Sequence, residues 1–122
     1  MNFQRETLEA IERSRHTIED VMFIGSSDGK YRMTMDKFLQ VSDFEYDDGY
    51  GSPKIAQDLI IYFKDKTYIT REEYDGSEWW QINNVNVYSE DDDYVDFDKL
   101  KVNPRQIGWK TVEEINEEEE DE

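Results

Sequence analysis

The sequence predicts an α+β domain, in which short helices pack on an antiparallel sheet of four to five strands arranged as a meander, followed by an acidic C-terminal tail. Three observations carry this expectation. Leu59 to Phe63 is a continuous apolar run of strand length, which suits a central strand buried on both faces better than a helix of five residues. Two segments rich in β-branched and aromatic residues follow it at hairpin spacing, Thr67 to Tyr74 after Asp65-Lys66 and Trp79 to Ile82 after Asp75-Gly76. Around Leu8 and Ile11, and again around Met35 and Phe38, apolar residues lie three apart, as one face of a helix requires.

The first helix carries Leu8 and Ile11 among Glu6, Glu9, Glu12, Arg13 and Arg15, and Asn2 is placed to cap it. The apolar run Val21 to Ile24 ends at Gly25-Ser26-Ser27-Asp28-Gly29 and gives way to alternation from Lys30 to Thr34, the pattern of a strand, a turn and a strand. Thr34 can accept hydrogen bonds from the first amides of a second helix, which stops near Asp43. A loop from Phe44 to Pro53 follows, shaped by Gly49 and Gly51. Val85 to Tyr88 extends the last meander strand or begins an edge. Thr111-Val112-Glu113-Glu114 fits a capping box for a final helix, and the acidic run Glu117 to Glu122 frays into the tail. The organisation expected is one domain over 1–116 and a tail over 117–122.

The charge balance narrows function. Thirty-one Asp and Glu against 14 Lys and Arg leave a net charge of −17 on 122 residues. Nucleic-acid binders gain affinity when Lys and Arg release counterions from phosphates, so direct nucleic-acid binding is disfavoured, as is an anionic membrane surface. A basic protein surface is attracted instead, and its encounter is accelerated. With no cysteine there is neither a disulfide nor a thiolate, which suits the cytoplasm, and no apolar stretch has the length of a membrane span.

Catalytic signatures are missing. His16 is the sole histidine and reads as a surface or helix-end residue, and neither a nucleophile elbow nor a phosphate-binding glycine motif occurs. The dense acidic stretch Glu90 to Asp98 lacks the glycine and terminal glutamate of a calcium loop, so no metal, cofactor or catalytic residue is assigned. Two acidic clusters are instead assigned to partner binding. The first comprises Asp43, Glu45, Asp47 and Asp48, interleaved with Tyr46 and Tyr50; the second comprises Glu90, Asp91, Asp92, Asp93 and Asp96. Carboxylates at fixed positions pair with Arg and Lys as phosphates do, while aromatic residues either anchor an interface or pack inward. Trp79 and Trp80, being adjacent in a strand, face opposite sides of the sheet, so one belongs to the core and the other is covered or exposed.

Three segments, I-G-S-S-D-G-K-Y from Ile24, A-Q-D-L-I-I-Y-F-K-D from Ala56 and E-Y-D-G-S-E-W-W from Glu73, carry a resemblance. Across about Thr17 to Ile115 the chain resembles a group of small acidic proteins encoded by phages and prophages of Gram-positive bacteria, which have no assigned activity. The resemblance implies a protein at work in the host bacterial cytoplasm. Its size and charge, like those of anti-CRISPR proteins, imply an inhibitor that occupies the basic DNA or RNA groove of a nucleic-acid-binding protein, such as a CRISPR effector nuclease, and is not an enzyme. The alternative expectation is a phage interaction or assembly module that binds through an aromatic surface or as a homodimer.

Overall fold

A computed structural model describes residues 1–47, 54–74, 77–83, 88, 91–102 and 108–117. Helix α1 spans Phe3–Arg13, and the Asn2 side chain caps it by accepting from the Arg5 amide. The helix buries Phe3, Thr7, Ala10 and Ile11. After a single 3-10 turn at Ile18–Asp20 the chain enters strand β1 (Val21–Ser26), turns, and returns as β2 (Tyr31–Met33). Gly25 is required where these strands pair, opposite Arg32: a Cβ there would lie 1.9 Å from the Tyr31 carbonyl oxygen. Helix α2 (Met35–Val41) starts at Thr34, whose hydroxyl accepts from the Lys37 amide as the sequence predicts.

The meander follows as β3 (Leu59–Phe63), β4 (Tyr68–Tyr74) and β5 (Ser77–Asn83). A short strand β6 (Val95–Asp96) and helix α3 (Val112–Glu117) complete the described elements. Thr111 and Glu114 form the expected capping box, each accepting from the other's amide. The sheet order is β5-β4-β3-β1-β2-β6. The sheet therefore exceeds the expected four to five strands by one, and it is mixed, because β6 runs parallel to β2 with Tyr31 opposite Val95 and Arg32 opposite Asp96. Two residues are too few for a period to be read from sequence. Of the Val85 to Tyr88 segment, residues 85–87 lie outside the described residues and Tyr88 is not in a strand.

Strand β3 is buried on both faces, since β1 and β4 flank it and every one of its residues is buried. On one face Leu59, Ile61 and Phe63 join Ile24, Ile69 and Trp80 beneath Phe3, Ile11, Phe38 and Ile115 of the helices. On the other, Phe23, Ile60 and Tyr62 form a smaller cluster covered in part by Tyr68 and Tyr88. The α+β class is thus confirmed, with all three described helices contributing to one core. Glu117, the first residue of the expected tail, closes α3 and accepts a hydrogen bond from the Tyr31 hydroxyl, and 118–122 lie outside the described residues. Among the described residues no helix is long and apolar enough to cross a membrane.

Candidate functional site

The first acidic cluster leaves α2 as an extended segment laid against the N-terminus. The Phe3 amide donates to Phe44 O, and the Tyr46 amide donates to Met1 O, which holds the segment in a short antiparallel contact between Asn2 and Glu45. Side chains in extended backbone alternate sides. Phe44 turns inward to stack on Phe3 at 5.4 Å between ring centroids, and Tyr46 is buried, whereas Glu45 and Asp47 face solvent. Tyr46 is therefore corrected from interface anchor to core residue, because its ring and hydroxyl are both consumed inside the fold. Asp43 is exposed and accepts from the Asn2 amide group at 2.9 Å, and Glu45 lies 3.4 Å from the N-terminal ammonium. Asp48 and Tyr50 lie outside the described residues.

The second cluster borders β2 and α2. Asp91, Asp92, Asp93 and Asp96 are all exposed, and Glu90 lies outside the described residues. Among the described residues Asp92 pairs with Arg32 at 3.3 Å and Asp96 with Lys37 at 2.6 Å. These pairs fix the segment to the sheet edge, and both carboxylates stay more than half exposed, so water screens the pairs. Arg32 itself is buried between the Phe23 ring, 4.4 Å from its guanidinium carbon, and the Tyr94 ring at 5.5 Å. The cluster thus rests on an internal cation that sequence reading did not single out.

A buried polar network also went unforeseen. Arg71 on β4 donates to Glu6 on α1 at 3.3 Å, to the Tyr46 hydroxyl at 3.0 Å and to Glu78 on β5 at 3.1 Å, and its guanidinium faces the Trp80 ring at 4.9 Å. Glu78 accepts in turn from the Lys54 and Ile55 amides, which ties the chain entering β3 to the sheet. Burial and the neighbouring Glu6 carboxylate push the Tyr46 phenol well above its usual range, against the pull of Arg71, so it stays a neutral donor. The strand register could have found this network: once Trp80 is inside, Glu78 shares its face, and Arg71 lies opposite. The inside tryptophan is Trp80, 5% exposed, against 38% for Trp79.

His16 sits at the end of α1, as its sequence position suggests, and is mostly buried rather than on the surface. Its ring stacks on Phe63 at 3.8 Å, Nδ1 lies 2.9 Å from Ser14 Oγ and Nε2 lies 2.8 Å from Asp65 Oδ2. This is a serine, histidine and aspartate in a hydrogen-bonded row. The Ser14 hydroxyl, however, donates to the Ile11 carbonyl at 2.7 Å, so its proton is directed at the helix end and not at the imidazole that a nucleophile would need. The row acts as a clasp between α1 and the β3–β4 turn. Among the described residues no group of three or more His, Asp or Glu side chains converges to hold a metal ion. Comparison with protein-family models, curated proteins and solved structures finds no match to this chain.

Proposed function

We propose that this protein is a non-enzymatic, phage-type inhibitor that binds a host nucleic-acid-handling protein as an acidic mimic of nucleic acid. The observation that carries this reading is where the charge sits. Among the described residues the buried charged side chains are Glu6, Glu78, Arg32 and Arg71, which cancel, so among those residues burial removes none of the excess negative charge. Asp43, Glu45 and Asp47 in one segment, and Asp91, Asp92, Asp93 and Asp96 in another, are exposed, the first segment pairing with the N-terminus at Asn2 and the second with β2 at Asp96. Duplex DNA offers one charge per ~1.7 Å of axis, and a basic groove that responds to such a row of negative charges is attracted by exposed runs of carboxylates as well. The groove of a CRISPR effector nuclease is one of this chemistry.

Capture of partners from a bacterial lysate on the immobilised protein, at low and then high salt, tests the reading. Retention of a nucleic-acid-binding protein that is released by salt or by added DNA supports mimicry, and Asp47→Lys with Asp91→Lys should weaken that retention while the fold persists. Salt-insensitive capture defeats it. One observation favours a second reading, that of an interaction module with an aromatic surface: Trp79 and Tyr74 are exposed on β5 and β4. Under that reading Trp79→Ala abolishes association and the acidic clusters tolerate neutralisation.

A further inference from the structure

We infer that the outer edge of β5, beyond which no strand lies among the described residues, is a docking site for an extended basic segment of a partner, which adds to the sheet as a further strand; this rests on the acidic-binder reading above and names a surface for it. Strand β5 ends the sheet order, and it pairs with β4 without any shift in register from Tyr74 opposite Ser77 to Tyr68 opposite Asn83. Only two residues separate Tyr74 from Ser77, the spacing at which the closing pair of a hairpin is hydrogen-bonded. Alternation along an antiparallel ladder then turns the N–H and C=O groups of Glu78, Trp80 and Ile82 toward the outer side.

Proteins protect such edges with charged side chains, proline, bulges or a covering element. Strand β5 has a regular ladder and no proline, and its only charged residue, Glu78, is buried against Arg71 and the Lys54 and Ile55 amides. Among the described residues no strand lies beyond it. In a chain in which 37% of residues are charged, this seven-residue edge exposes Trp79 and Ile82 and not one charge. It is built as a pairing edge.

Charge selects the occupant. Glu72, exposed on β4, pairs with Trp79 and shares its face of the sheet, and Glu73 lies opposite Glu78. A strand added beside β5 stands two strand spacings, about 10 Å, from β4. A Lys or Arg on its Trp79 side lies over the indole and reaches toward the Glu72 carboxylate, while its alternate residues meet Ile82. The occupant is therefore a segment alternating basic and apolar residues. A second copy would bring together two chains each of net charge −17, and its β5 carries no Lys or Arg to meet Glu72.

The experiment titrates the isotope-labelled full chain with two synthetic peptides of equal charge, one alternating Lys and Val over seven residues and one alternating Lys and Pro, which cannot form a ladder. The Lys-Val peptide should shift the amides of Glu78, Trp80 and Ile82 and the Trp79 indole N–H, and should bind at least tenfold more tightly than the Lys-Pro peptide. Ile82→Pro, which removes one outward N–H at a half-exposed side chain, should erase that difference, and Trp79→Lys should do the same where the proline variant fails to fold. Equal binding of both peptides, or shifts confined to the acidic clusters, overturns the edge-docking inference and leaves the acidic-binder reading standing. Binding of neither peptide counts against both. Shifts at β5 that grow with protein concentration alone, with a doubled mass in solution, would assign the edge to a second copy and overturn the basic-strand inference.

Discussion

Replacing Arg71 by Met removes a cation from a place where, among the described residues, it is the sole positive group beside two carboxylates and a phenol. Arg71 is 3% exposed, donates three hydrogen bonds to Glu6, Tyr46 and Glu78, and packs against Trp80 and Phe3. Methionine fills much of the same volume, so the cavity contribution is small, and the loss comes from leaving Glu6 and Glu78 buried without a counter-charge. Breaking a buried pair in this way costs about 3–5 kcal/mol. Domains of this size have a total stability of about 5–15 kcal/mol, so the variant should fold at room temperature but lose a large part of its margin. A melting point lowered by roughly 12–20 °C corresponds to that loss. Urea unfolding followed by tryptophan fluorescence is the assay, since Trp80 faces the guanidinium and reports on the same site. Adding Glu6→Gln to the variant should return at least about 1 kcal/mol, as a coupling between neighbours. A cost below about 1 kcal/mol for Arg71→Met, or no coupling to Glu6, would refute the claim that this arginine neutralises the interior.

Truncating the two adjacent tryptophans should separate them: Trp80→Ala costs about 3–5 kcal/mol in the same urea assay, whereas Trp79→Ala stays within about 1 kcal/mol. The Thr67 hydroxyl and His16 hold the Asp65 carboxyl at about 2 against the usual 3.8, so the carboxylate form stabilises the fold above about pH 4 and its contribution is lost as pH falls toward 2. Asp65→Asn should flatten the melting point between pH 4 and pH 2 relative to the parent; an unchanged profile would contradict the clasp. Gly25→Ala places a methyl against the Tyr31 carbonyl at 1.9 Å and should part β1 from β2, which backbone amide exchange would register as lost protection across both strands.

The sequence by itself determined the parts of this protein that depend on neighbours along the chain. Asn2, Thr34 and Thr111 cap helices because a side-chain oxygen three residues before a free amide is a local arrangement, and Leu59 to Phe63 is central because five successive apolar residues leave no face for water. It also determined the net charge of −17. Tertiary structure decided everything that depends on which side of an element faces in. Alternation gave two opposed faces at Trp79 and Trp80, and the segment from Phe44 to Asp47 read as a loop, but which side faces in is set only when these segments meet α1: Phe3 takes Trp80, Phe44 and Tyr46 onto one side, and Glu45, Asp47 and Trp79 are left to solvent. The same packing draws Glu6, Arg71 and Glu78 together from three elements, over as many as 72 positions of sequence, and pairs Asp92 with an arginine 60 residues before it. Long-range ion pairs leave no periodic trace in a sequence, because burial and not spacing creates the need for the counter-charge.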